Sequence, residues 1–300
     1  MNDLRFGFGP SESAAARVLL DLALREDLDG LGDITSAATI PIQARGTGRL
    51  VARAPGILAG LPVIAMLTEG FELGPLWQPL RSDGDPVAAG EVFATVSGSV
   101  RSILALERTA LNFLQRLSGV ASLTARFVEA VRGTSAVVLD TRKTTPGWRV
   151  LEKYAVRCGG GRNHRMGLYD AVLIKDNHLA WLEHRAGTDP ITAAVAAARA
   201  HAPPGTVLEI EVETLEQLER ALRCGPDIIL LDNLGAEMVA EAVRMRDAIA
   251  PGVELEASGG VTLARAAELA RTGVDRISVG ALTHSAPALD IALDLDSPGS

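Results

Sequence analysis

The residues best suited to chemistry stand just after short apolar segments. Asp140-Thr141-Arg142-Lys143 follows the segment 136–139, and Lys175-Asp176-Asn177-His178 follows 171–174. Glu211 ends 207–210, Asp232-Asn233 ends 228–231, Ser258-Gly259-Gly260 comes just after 253–256, and Gly280 follows 276–279. Arginine grips a carboxylate or phosphate through paired hydrogen bonds, and lysine sets a mobile point charge over such oxygens. Arg142 and Lys143 therefore read as anion ligands. Arg165 joins them, adjoining His164 after the flexible Gly159-Gly160-Gly161 run. The stretch 141–165 holds these cations and several more against one acid, Glu152, so a solvated basic helix and loop is the plain alternative. Lys175 reads as a further phosphate or carboxylate ligand, or else as a partly satisfied structural lysine. His178 reads as structural, and His184, His201 and His284 show no metal-ligand spacing.

Glu211 and Asp232 end successive segments, a placement that brings two carboxylates together. Such oxygens suit Mg2+ when water and substrate phosphates complete its shell. An acid/base pair and ordinary salt bridges stay open as alternatives. Glu209 is expected to face away from Glu211, which is preferred because it lies nearer the strand exit. Ser258-Gly259-Gly260 precedes a helix starting near Thr262. Glycines admit close approach and helix-start amides bind phosphate, with Gly280 completing the cradle; a simple tight turn is the alternative. Neither a P-loop nor a dinucleotide Gly-x-Gly-x-x-Gly fingerprint occurs.

The elements that must position these residues alternate. Helical patterns at 191–200, 215–222, 236–249 and 263–271 separate the six apolar segments, which argues for parallel strands with crossover helices. In a barrel the C-terminal strand ends gather on one face, whereas an open doubly wound sheet concentrates ligands at one switch point. Polar chemistry after nearly every strand favours the barrel, and six strands make it an incomplete one. The first third reads as a small α+β unit. It holds a helix over 13–24 capped by Ser11 or Ser13, β segments at 46–54 and 91–96, and a stronger helix over 102–117 that Gly119 interrupts. The expected boundaries are 1–118, 119–282 and a closing segment 283–300.

With 300 residues, 47% apolar and 22% charged, the chain has globular composition. Its net charge of −8 disfavours a nucleic-acid surface, and its two cysteines suit a reducing compartment. The N-terminus lacks the apolar core of a signal peptide, and the charge-free stretch 54–68 carries Pro and Gly and is too short to cross a bilayer. A cytoplasmic protein without membrane or nucleic-acid partners is the expectation.

Several segments in fixed order resemble the quinolinate phosphoribosyltransferase family, also called nicotinate-nucleotide pyrophosphorylases. They are Glu107-Arg108-Thr109-Ala110-Leu111-Asn112, Asp140-Thr141-Arg142-Lys143-Thr144-Thr145-Pro146-Gly147, Cys158-Gly159-Gly160-Gly161 through Asn163-His164-Arg165, and Leu173-Ile174-Lys175-Asp176-Asn177-His178. Glu209-Ile210-Glu211-Val212, Leu230-Leu231-Asp232-Asn233, Ser258-Gly259-Gly260 and Val279-Gly280-Ala281-Leu282-Thr283-His284 continue the match. The resemblance implies an α/β fold: an N-terminal α/β sandwich-like domain followed by an incomplete α/β barrel, with a C-terminal helical segment packed back on the first domain. It implies a homodimer, with larger assemblies open, whose site receives Arg108 from the neighbouring chain. It also implies the reaction of quinolinate with phosphoribosyl pyrophosphate to nicotinate mononucleotide, pyrophosphate and carbon dioxide, with Mg2+ as cofactor.

Carried over by resemblance, Arg142 and Arg165, assisted by His164, clamp the two carboxylates. Lys143 and Lys175 lie near the carboxylate and phosphoribosyl pyrophosphate region, Glu211 and Asp232 bind ribose hydroxyls or the Mg2+-bound diphosphate, and Ser258, Gly259, Gly260 and Gly280 cradle the 5′-phosphate. Trp148 stands where the family often has a smaller aliphatic residue. The alternatives are a pyridine or pyrimidine phosphoribosyltransferase that does not decarboxylate, and a nonenzymatic phosphosugar-binding barrel.

Overall fold

The computed structural model describes residues 7–69, 75–183 and 189–296, so His184 lies outside the described residues. Helices α1 (Pro10–Leu28) and α2 (Ile34–Thr39) lead to strands β1 (Arg45–Ala52) and β2 (Gly56–Ile57), helix α3 (Leu61–Glu69), and strands β3 (Leu76–Pro79), β4 (Pro86–Val87) and β5 (Val92–Ser99). Helix α4 (Val100–Ala130) opens an alternating run of β6 (Val137–Leu139), α5 (Arg149–Cys158), β7 (Ala171–Ile174), α6 (Asp176–Glu183) and α7 (Pro190–His201). The run continues through β8 (Val207–Val212), α8 (Leu215–Cys224), β9 (Ile228–Asp232), α9 (Ala236–Ile249), β10 (Glu254–Ser258), α10 (Leu263–Ala270), β11 (Arg276–Ser278) and α11 (Ala281–His284), and β12 (Ile291–Leu295) closes the chain.

Two compact units result. The first takes the described parts of 1–125, 144–160 and 282–300; the second takes 126–143 and 161–281.

The first unit is built on a four-stranded antiparallel sheet in the order β12-β1-β5-β3. The expected C-terminal helical segment is instead a strand, because Ile291–Leu295 pairs along β1 from Ala52 to Gly48 and satisfies that strand's edge. The apolar stripe of α4, Ile103, Leu106, Ala110, Leu114 and Leu117, is buried. Gly119 does not interrupt this helix. A side chain there would collide with the Pro287 carbonyl and lie 3.0 Å from Ala288 Cα, so the glycine serves close packing inside a continuous helix. Helix α1 is capped at Gly9, not Ser11 or Ser13: Glu12 reaches back to accept from the Gly9 amide at 3.0 Å, and Pro10 starts the first turn. The middle of the basic stretch is also unlike a solvated helix. Glu152 and Lys153 of α5 are buried, and Glu152 pairs with Arg116 at 2.5 Å. Trp148 stacks on Phe113 with ring centroids 4.8 Å apart.

The second unit is the incomplete barrel. Its six strands are all parallel and run β6-β11-β10-β9-β8-β7, a cyclic order with its gap between β6 and β7, where Leu139 bridges to Arg162. Ile210, Ile229, Leu231, Leu255, Ala257 and Ile277 are buried. Their alternates along β8, β9, β10 and β11 form the other face and rise to the strand exits. Among the described residues, no helix is long and apolar enough to cross a membrane.

Candidate active site

The exits of β6 to β10 surround a cavity of about 550 Å³, lined by Arg142, Lys143, His164, Arg165, Lys175, Glu211, Asp232, Ser258, Gly259 and Gly260. Ten residues singled out from separated segments thus share one cavity. Gly280 is not among its lining residues, although Ser278, at the end of the same strand, is. Arg108 is exposed on α4 in the first unit and does not line it. Thr141 and Asn233, named at their strand exits but given no role, also line it, and Leu173, Leu230, Glu256 and Ser278 complete the lining without having been singled out. For Glu256 the signal was available, since it stands two residues before Ser258 and shares its face.

Register explains the acidic side. Ile174 pairs with Ile210, so Lys175 and Glu211 emerge side by side, and Lys175 Nζ lies 2.6 Å from Glu211 Oε2. Ser258 and Asp232 are ladder partners. Asn233 adopts left-handed φ (+57°) and donates to Asp232 Oδ2 at 2.7 Å. Gly259 has φ +93°, and a side chain on it would strike the Asn233 side chain and lie 2.9 Å from its backbone nitrogen. The glycine is thus required both for its backbone angle and for the approach of the β9 exit. Thr262 then caps α10 by accepting from the Arg265 amide at 3.3 Å.

The opposite side is basic. Burial and the neighbouring Arg142 charge lower the pKa of Arg165, whose Nη1 donates to the Ala171 carbonyl at 2.9 Å. Arg142 Nε is buried and has no hydrogen-bond partner. Lys143 is exposed, with its amide donating to Thr141 Oγ1 at 3.0 Å. His178 accepts from the Lys175 amide at 2.9 Å, so it supports the β7 exit as the structural reading expects.

Beneath the basic side lies a group only partly anticipated. His164 Nε2 is 3.1 Å from Glu209 Oε2 and 3.4 Å from Glu256 Oε1, and Arg276 Nε donates to Glu256 Oε2 at 2.9 Å. The expectation that Glu209 faces away from Glu211 is wrong, because residues two apart on a strand share a face. Glu209 sits one level below Glu211 on the same interior side. Its ladder row passes through Ile228 to Glu254. Barrel stagger shifts equal heights by about one residue per strand, so two strands on from Glu209 the same level falls at Glu256.

Burial opposes charge on His164, but hydrogen bonds to Glu209 and Glu256 outweigh it and push its pKa up to about 9. The Arg165 amide nevertheless donates to Nδ1 at 2.7 Å and needs the lone pair there. With Nδ1 accepting, the ring meets the two carboxylates through Nε2, and burial also raises the pKa of Glu209. These three side chains bring potential metal-ligand atoms within 4.8 Å of one another. Arg276 already supplies the positive charge at Glu256, which makes the set an ionic network more than a cation cage.

Two family models match the chain: the N-terminal domain of quinolinate phosphoribosyl transferase over residues 33–118 and its C-terminal domain over 120–294. The chain belongs to the quinolinate phosphoribosyltransferase family. A nicotinate-nucleotide pyrophosphorylase [carboxylating] of Mycobacterium leprae is 47% identical over 286 residues, covering 95% of this chain and 98% of the relative. A probable nicotinate-nucleotide pyrophosphorylase [carboxylating] of Bacillus subtilis is 42% identical, with 92% of each chain covered. The crystal structure of NadC from Streptococcus pyogenes superposes with a TM-score of 0.86 at 41% identity, covering 93% of this chain and 96% of that one. The family-model matches of this quinolinate phosphoribosyltransferase family member run from residue 33 to residue 294 and so reach into both units.

Proposed function

We propose that the cavity joins quinolinate to the ribose of phosphoribosyl pyrophosphate and releases pyrophosphate and carbon dioxide, giving nicotinate mononucleotide. Family membership makes the chain a phosphoribosyltransferase of NAD biosynthesis. The observation that carries the substrate reading is the pair Arg142 and Arg165, two cations lining one wall, with Arg142 Nε buried and lacking a hydrogen-bond partner. Like charges held together call for an anion between them, and a dicarboxylate supplies one group for each guanidinium.

The clamp fixes the ring nitrogen against ribose C1, an entropic advantage paid at binding. Ser258, Gly259 and Gly260 hold the 5′-phosphate, with Gly280 as a further donor beyond β11. Loss of pyrophosphate leaves oxocarbenium character at C1, and the ring nitrogen attacks there. The 2-carboxylate then departs as carbon dioxide and leaves its electron pair on C2, where the adjacent positive ring nitrogen and Lys143 stabilise the developing charge until C2 takes up a proton from water. No enzyme nucleophile is needed, in keeping with Cys158, which is buried in the first unit with its thiol pKa raised by burial.

Mg2+ is the proposed cofactor. Glu211 and Asp232 are hard oxygen donors of the type it takes, and the Lys175 and Asn233 contacts engage only one oxygen of each. Bound there, the ion would neutralise charge on the leaving diphosphate. A homodimer is also proposed, with Arg108 reaching the partner's site, and larger assemblies are compatible with it. The two free cysteines fit a reducing cytoplasm.

The deciding assay incubates the protein with quinolinate, phosphoribosyl pyrophosphate and Mg2+ and measures mononucleotide and carbon dioxide together. Nucleotide without carbon dioxide would favour a non-decarboxylating transferase, and neither product would favour a binding barrel. Mixing Arg108→Ala and Lys175→Ala chains under subunit exchange tests the shared site. About one quarter of sites should regain activity in a C2 dimer.

A further inference from the structure

His164 lines the cavity, yet both ring nitrogens are engaged by the protein. Nδ1 accepts from the Arg165 amide at 2.7 Å, and Nε2 faces Glu209 and Glu256. The backbone of the same turn is anchored as well. The His164 amide donates to Asp140 Oδ1 at 2.9 Å, and Asn163 donates to Asp140 Oδ2 at 2.6 Å. Glu209 and Glu256 are buried, and Arg276 braces Glu256 from the other side. A ring held at both nitrogens is poorly placed to hydrogen-bond a substrate carboxylate, but it couples the barrel interior rigidly to Arg165.

We propose that Glu209, Glu256 and Arg276 act through His164 as positioning residues that aim the Arg165 guanidinium at the substrate acid. The proposal rests on the reading of Arg165 as a carboxylate clamp. Glu209 and Glu256 hold the ring through Nε2, and the ring fixes the Arg165 backbone through Nδ1. The Ala171 carbonyl restrains one terminal nitrogen of the guanidinium, so backbone placement governs where its other donors point. Two carboxylates in the barrel interior are explained by this task. A purely packed interior would use aliphatic side chains, as barrels normally do.

The test compares Glu209→Gln, Glu256→Gln and His164→Asn, alone and combined with Arg165→Lys, by separate titration of the two substrates in steady-state kinetics. His164→Asn keeps an acceptor near the Nδ1 position and cuts the link to the carboxylates, so it serves even if Glu256→Gln folds poorly. Each single change should raise the quinolinate KM about tenfold, the usual scale for losing an orienting partner. The phosphoribosyl pyrophosphate KM should stay within about twofold, and the changes should add little on top of Arg165→Lys because coupled residues are non-additive. Full additivity with Arg165→Lys, equal weakening of both substrates, or an unchanged quinolinate KM in every folded variant overturns the network. Arg165→Lys alone separates the two levels. If it leaves quinolinate binding intact, the clamp reading and the network both fall; if it weakens binding while the other variants do not, only the network falls.

Discussion

In the first unit the buried Asp83 carboxylate meets only neutral donors, whereas in the second Glu209 and Glu256 meet an imidazole and a guanidinium beneath a cavity. Asp83 accepts from the Gly60 and Leu61 amides at 2.8 and 3.0 Å and from the Tyr154 hydroxyl at 2.7 Å. It thereby caps the start of α3 and ties it to α5. Nothing in that arrangement waits for a ligand. Under the cavity, by contrast, Glu209 Oε1 and Arg142 Nε are buried without hydrogen-bond partners. The two other such atoms among the described residues, Glu91 Oε1 and Glu256 Oε1, are paired by charge with Arg81 at 2.7 Å and with His164 at 3.4 Å. Unsatisfied polarity concentrates where binding is proposed, and satisfied polarity marks a structural joint.

The contrast is broken most directly at Asp83. Asp83→Ala strands three buried donors and should cost about 4 kcal/mol of stability, with turnover per folded molecule unchanged. Denaturant unfolding at constant slope measures the first part. A large loss of activity in the folded fraction would show that the joint is not purely structural.

Glu211→Gln and Asp232→Asn should behave in the opposite way. Turnover should fall about 100-fold, roughly 3 kcal/mol in activation free energy. Stability should shift by no more than about 0.5 kcal/mol, as expected for changes that strand no buried group. Near-normal turnover in both variants would remove these residues from the reaction.

Arg142→Lys keeps the charge but loses the planar fork, so the quinolinate KM should rise about tenfold, or about 1.4 kcal/mol. Substrate titrations check this, and equal weakening toward phosphoribosyl pyrophosphate would reduce Arg142 to generic anion attraction.

The smallest effect expected is one of pH. Burial raises the Asp83 pKa above its ordinary range despite its three donors. A raised folded-state pKa means that the folded protein prefers the proton. The stability from this group is complete below the usual carboxylate range and is lost as pH rises through the raised value. The stability advantage of wild type over Asp83→Asn should therefore shrink with rising pH. A gap that widens with pH would mean that the amide and phenol donors outweigh burial.

The amino-acid sequence determined the strand exits and their chemistry. Aliphatic runs of parallel-strand length, each closed by a polar residue, made Lys175, Glu211, Asp232 and Ser258 legible, because apolar strands and polar exits are local properties of the chain. The α4 stripe was legible for the same reason. Tertiary structure decided what no local window contains. Gly119 looked like a helix stop until Pro287 came to lie against it, and Ile291–Leu295 became a strand because the edge of β1 was there to pair with. Glu209 and Glu256 meet His164 only because barrel stagger brings β8 and β10, two strands apart, to a common level around a loop from the far side of the sheet. Chain spacing carries no measure of that stagger, since it is set by the closure and tilt of strands that must first find one another.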